Sequence, residues 1–286
     1  MNRIEKEMIK VLTDLRENHG VTGIKAEFEA EGTRIEEALR LKEVITAAGL
    51  NLTLKIGGCE AIRDLYEARV IGVERIVAPM VETPFALQKY LLAIDLAFPK
   101  EEQSEIDFCV NIETITAVEN FEQMLAVKGI EKLGGVVIGR VDLTGSLGLT
   151  RDDVNSDKIF ELSKKVAIKA KNAGLDTIVG GGVSAHSIPF AQHLGKLLDR
   201  YETRKVIFDT SVALTRSPEV GILKAVNFEL LWLKNKRDYY SLIATEDSTR
   251  ITMLEKRYRK MIDEVSASSP EGDRLKSHYE SGLALS

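Results

Sequence analysis

Cysteine is nearly absent: the 286 residues hold only Cys59 and Cys109. Both fall inside expected structure, so free thiols in a reducing, cytoplasmic compartment are the expected state. No apolar run approaches the ~18 residues that a membrane span needs, so no transmembrane helix is expected. The opening Met1–Glu7 stretch is a charged helix start, unlike a signal peptide. There is no basic block, and the net charge is −5. Binding to nucleic acid or to an acidic membrane surface therefore has little support. Histidine is scarce too, with four in the chain. His19, His193 and His278 fall on an expected turn, helix and tail, and His186 is the best placed for a functional role.

What is present is ordinary globular composition, 44% hydrophobic and 29% charged, enough for a large core. One α/β barrel can use the whole length. Residues 2–18 read as an amphipathic helix with Ile4, Met8, Val11, Leu12 and Leu15 on one face. Residues 23–31 then alternate strictly. Ile24, Ala26, Phe28 and Ala30 share one face, and Lys25, Glu27, Glu29 and Glu31 the other. Helix-length segments and alternating runs continue in turn. Strands are expected at 50–56, 75–80, 106–113, 135–138, 176–179 and 206–209.

Strand–helix alternation at this spacing predicts a parallel sheet with helices outside, a (β/α)8 TIM barrel with extra C-terminal helices. Seven strands are readable. The eighth is expected at Tyr239–Ala244, or else the N-terminal segment replaces it. Residues 1–265 form one expected domain. Residues 266–286, small and polar, are expected to be a mobile tail.

In a barrel the apolar strand face packs on the helices, so Lys25, Glu27, Glu29, Lys55, Asp107, Asn111 and Glu113 point inward. Charge is costly to bury unless it is paired or metal-bound, so a polar interior points to a site in the mouth. The alternative for residues 25–31 is an edge strand with a solvated face.

Glu113 closes the run 106–112, and Asp142 follows 135–138, with one helix-length segment between. That β-α-β unit places a carboxylate at the same end of both strands, where parallel α/β folds build function. Two converging carboxylates suit a hard divalent cation such as Mg²⁺ or Mn²⁺. Lys55 has three readings: a structural ion pair with Glu113 or Glu29, a substrate-binding cation, or a Schiff-base nucleophile. Glu27 and Glu29 are candidate bases or supports for metal-bound water. Arg140 either binds an anionic group or pairs near Asp142. Gly180–Gly182 is either a phosphate-binding loop or a tight turn. Trp232, among leucines, reads as core or subunit interface.

Three motifs carry a resemblance: Val77–Thr83, Asn111–Thr114, and Ile138–Leu143 with Ser146-Leu147-Gly148. Together they resemble the HpcH/HpaI aldolase and citrate lyase β-subunit family over about residues 22–215. The resemblance implies a (β/α)8 barrel, often oligomeric through C-terminal helices. It also implies metal-dependent making or breaking of C–C bonds beside a 2-oxo acid or acyl-CoA. By the resemblance, Glu113 and Asp142 match metal ligands and Asn111 the place of a substrate-facing Gln. Gly139–Asp142, including Val141, matches a loop whose amides hold a carboxylate. Lys55 stands where the family has Arg, Arg140 where Pro or Ala is usual, and residues 27–31 lack the family's catalytic His. The implied activity is a C–C lyase acting on a small anionic 2-oxo acid, in a homo-oligomer. The other readings are a catalytically altered binding subunit and a Schiff-base aldolase.

Overall fold

A computed structural model describes residues 1–266 of the chain. Its helices are α1 (Arg3–His19), α2 (Ile35–Ala47), α3 (Ile62–Ile71), α4 (Pro84–Ala97), α5 (Lys100–Gln103), α6 (Ile115–Leu125), α7 (Arg140–Ser146), α8 (Asp157–Asn172), α9 (Ile188–Leu194), α10 (Thr210–Ala213) and α11 (Pro218–Ser266). Its strands are β1 (Val21–Glu27), β2 (Asn51–Lys55), β3 (Arg75–Ala78), β4 (Asp107–Ile112), β5 (Leu133–Gly139), β6 (Asp176–Gly180), β7 (Arg200–Glu202) and β8 (Val206–Asp209). The strands close in sequence order into a barrel. The expected mobile tail lies outside the described residues, apart from Ser266 at the end of α11.

The barrel departs from the expected pattern at its seam. β1 to β7 pair in parallel, but β8 runs antiparallel to both β7 and β1. No helix separates β7 from β8. A hairpin through Thr203–Lys205 joins them, with the Thr203 amide bonded to the Val206 carbonyl. The eighth strand is thus the three-residue β7. Tyr239–Ala244 lies inside α11, and the N-terminal segment is a helix. β7 is too short to show an alternation. β1 also ends earlier than expected, at Glu27, and Phe28–Glu31 is a turn in the loop to α2.

The alternation has the expected sense. Ile24, Ala26, Leu52, Leu54, Val110 and Ile112 face the helices and join the main core. The opposite faces fill the barrel. Toward β3–β6 the filling is apolar, with Val77, Cys109, Val137 and Ile178 in contact. Toward β1, β2 and β7 it is polar, with buried Lys25, Glu27, Thr53, Lys55 and Glu202. Burial pushes the Cys109 thiol up to about 12, so this cysteine is inert filling. Asp107 is not in the mouth; it pairs with Arg75 at the opposite rim.

By compactness the chain divides within α11. Residues Met1–Trp232 form the barrel unit, which includes the first turns of α11. There Ile222, Ala225, Phe228 and Trp232 are buried, and Lys224 pairs with Asp14 at 2.5 Å. The second unit begins at Leu233 and is helical through Ser266.

Candidate active site

The C-terminal ends of β1–β7 open on one mouth, and charged residues gather there. Glu113 follows the last residue of β4 and is 1% exposed. Its Oε1 accepts the Met80 amide at 2.9 Å, and its Oε2 accepts the Asn111 side-chain amide at 2.7 Å. Lys55 Nζ, at the end of β2, stands 3.8 Å from Oε2 and 3.1 Å from Glu29. Burial pushes the Glu113 carboxyl above the ordinary glutamate range. Lys55, the Met80 amide and Asn111 pull the other way, while the charge of Asp142 adds to the rise.

The chain is shaped around this carboxylate. A Cβ at Gly139 would lie 2.7 Å from both the Cβ and Oε2 of Glu113, so only glycine fits there. Met80 donates to Glu113 from a left-handed backbone, φ +52°. That conformation is costly for a residue with a side chain. Gly139 leads straight into α7, which carries Asp142 in its first turn. Asp142 is exposed and lines an open cleft of about 500 Å³ with Met80, Thr114, Val141, Ser146 and Arg151.

A second group of charges closes the mouth on the β1–β7 side. Lys25 pairs with Glu202 at 2.6 Å and Glu27 at 3.1 Å. Burial opposes the charge on Lys25, but the two carboxylates outweigh it and its pKa is raised. Burial likewise works against charge on Glu27. Lys25 outweighs it, with Lys55 and Arg204 adding, so that carboxyl sits below its ordinary range. The β7–β8 hairpin supplies Arg204, 3.1 Å from Glu31, and Lys205, which also pairs with Glu31. Burial lowers the Lys205 pKa despite that partner.

A family profile for HpcH/HpaI aldolase/citrate lyase matches residues 17–186, more than half of the chain. The chain belongs to this family. Its members are aldolase- and citrate lyase-type enzymes, so a lyase-type activity is the coarse assignment. Solved structures agree on the fold. The HpcH/HpaI aldolase from Desulfitobacterium hafniense DCB-2 is 18% identical with TM-score 0.57, covering 71% of this chain and 83% of its own. The citrate synthase SbnG is 16% identical, with TM-score 0.55 and coverages of 81% and 90%. A family protein from Burkholderia cenocepacia J2315 is 14% identical, with TM-score 0.53 and coverages of 76% and 98%. No curated protein sequence matches the chain.

Of the residues singled out in the sequence, Glu27, Glu29, Lys55, Asn111, Glu113, Gly139, Val141 and Asp142 stand in or at the mouth. Arg140 does not face it. This side chain is fully buried beneath the loops after β5 and β6. It donates to the carbonyls of Gly180, Gly181 and Val154, to Asn155 Oδ1 at 2.7 Å and to Ser187, and it lies 4.7 Å from the Phe190 ring. Desolvation without a carboxylate partner lowers its pKa to about 10. The glycine run serves that packing. Gly181, at φ +74°, has no room for a Cβ, which would fall 2.7 Å from the Val141 nitrogen. His186 is exposed on a short 3-10 turn.

Sequence reading missed Met80, Glu202, Arg204, Lys205 and Arg151. Met80 sits inside a motif that carries the resemblance, but nothing in its spelling announces a positive φ. The other four became visible only through tertiary placement.

Proposed function

We propose that the chain is a divalent-metal-dependent C–C lyase or aldolase acting on a small 2-oxo acid. The observation that carries this reading is Glu113. It is a buried carboxylate held by two hydrogen bonds, with Asp142 close enough to affect its charge and Lys55 beside it. The residues present fit a hard cation. Glu113 and Asp142 offer carboxylate oxygens, and Asn111 Oδ1 is a buried oxygen with no hydrogen-bond partner. Among the described residues no cluster of three or more His, Cys, Asp or Glu stands ready as a complete cage. Two carboxylates with waters and substrate filling the other positions is the usual arrangement for Mg²⁺. When bound, the ion supplies charge to neutralise an enolate oxygen.

In this reading the chain's own residues divide the remaining work. The Lys55 ammonium receives the substrate's anionic oxygen. Glu29, exposed and 3.1 Å from Lys55, holds or releases the proton of the departing or attacking group. Asn111 orients Glu113 by donating to its Oε2 and leaves its own oxygen for the cation. Gly139, where a Cβ would meet Glu113, and Val141, which lines the cleft, frame the substrate. Glu27 keeps Lys25 in place. Arg140 braces the loops from below.

Lys55 Nζ lies between Glu29 at 3.1 Å and Glu113 at 3.8 Å, the setting of a paired, substrate-binding cation, and this supports that role over a Schiff-base nucleophile. The same ion pairs support one second reading, a binding subunit whose mouth charges are satisfied internally. A melting assay separates the two. Mg²⁺ or Mn²⁺ should raise the melting temperature of the native protein and leave Glu113→Gln and Asp142→Asn unmoved. A native protein indifferent to metal would favour the binding subunit.

A further inference from the structure

The second unit poses a separate question, because α11 runs for 49 residues. From Leu223 to Met261 its sequence repeats with spacings of three and four. The positions are Leu223, Val226, Leu230, Leu233, Arg237, Tyr240, Ala244, Asp247, Ile251, Leu254, Tyr258 and Met261. This is a 3.5-residue period, the mark of a coiled-coil seam rather than of a helix on a globular core. The seam is separate from the buried face of the first turns. Leu223 is 69% exposed, and Val226, Leu233, Ile251, Leu254 and Met261 are all about half exposed or more.

We propose that this seam pairs with α11 of a second copy of the chain, antiparallel, centred on Leu242. The two charges within the stripe decide both partner and direction. An antiparallel pair centred there sets Arg237 against Asp247 of the other copy, twice by symmetry. The same register faces Leu223 with Met261, Val226 with Tyr258, Leu230 with Leu254, and Leu233 with Ile251. The bulky Tyr240 faces the small Ala244. Every seam position thus meets a complementary one on an identical helix. A parallel pair in register would set Arg237 against Arg237 and Asp247 against Asp247. Within its own chain Arg237 already holds Asp238 at 2.8 Å, and that contact lies outside the stripe. The charges beside the seam do not discriminate. Glu229 would face Arg257, but Lys236 would face Arg250. The paired length is about 57 Å at 1.5 Å per residue.

Light scattering on the full chain should give twice the 31.7 kDa chain mass, or an even multiple. Direction is read by disulfides in a Cys59→Ser background. Separate Leu233→Cys and Ile251→Cys chains, mixed under reducing conditions and then oxidised, should give the mixed disulfide. In the antiparallel register two copies of residue 233 lie about 27 Å apart along the axis, far beyond disulfide reach. Arg237→Asp should weaken association about tenfold or more, because it opposes two carboxylates. Adding Asp247→Arg to the same chain should restore it. A monomeric mass, disulfides joining like positions, or a charge swap that fails to rescue would each overturn the proposal.

Discussion

Glu113 concentrates the conflict between folding and function. A carboxylate this deep is penalised by desolvation, and the single ammonium nearby does not fully offset it. The sign of the pH dependence follows. Because the folded-state pKa is raised, the native protein takes up this proton more readily than the unfolded chain. The stability linked to that proton is present at low pH and lost as pH rises through the folded pKa. Glu113→Gln removes the titration. The variant should melt higher than the native protein at neutral pH, and the gap should narrow as pH falls through and below the ordinary glutamate range. Paired melting curves across that range check this, and a gap that widens on acidification would refute it. Met80 makes a parallel case. Its left-handed backbone holds an amide on Glu113, and its side chain is 49% exposed. Met80→Gly should therefore stabilise the fold by about 1 kcal/mol in chemical denaturation, with the amide contact kept.

Among the elements, strands with one apolar and one polar face could be read directly from sequence. β1, β2 and β4 put Lys25, Glu27, Lys55, Asn111 and Glu113 inside the barrel, and the alternation said so. β7 escaped because three residues show no period. The reversed β8 escaped because strand direction is set by the hairpin closing the barrel, not by local pattern. Arg140 departs from the sequence expectation for a related reason. Its place directly after β5 suggested the mouth, but α7 turns it underneath, where five acceptors on neighbouring loops take up its donors. It is thus a strut between the β5 and β6 loops. Arg140→Leu should leave several buried carbonyls without donors. The expected loss is about 2–4 kcal/mol in denaturant unfolding. If stability were unchanged while activity vanished, Arg140 would instead belong to the substrate.

For the whole molecule, a family barrel of familiar strand order carries an unusual closure and a long helix. The hairpin brings Arg204 and Lys205 onto the loop after β1, so one wall of the mouth is a lattice of ion pairs. The opposite wall holds Glu113, Asp142 and the open cleft. Lyase activity at this mouth requires that the second wall support enolate chemistry. The most direct measurement is exchange of pyruvate methyl protons into D₂O, followed by NMR with Mg²⁺ or Mn²⁺ present, for the native protein and Glu113→Gln. Exchange should require metal and be lost in the variant. Exchange that continues in Glu113→Gln, or that ignores removal of metal by EDTA, would contradict this reading.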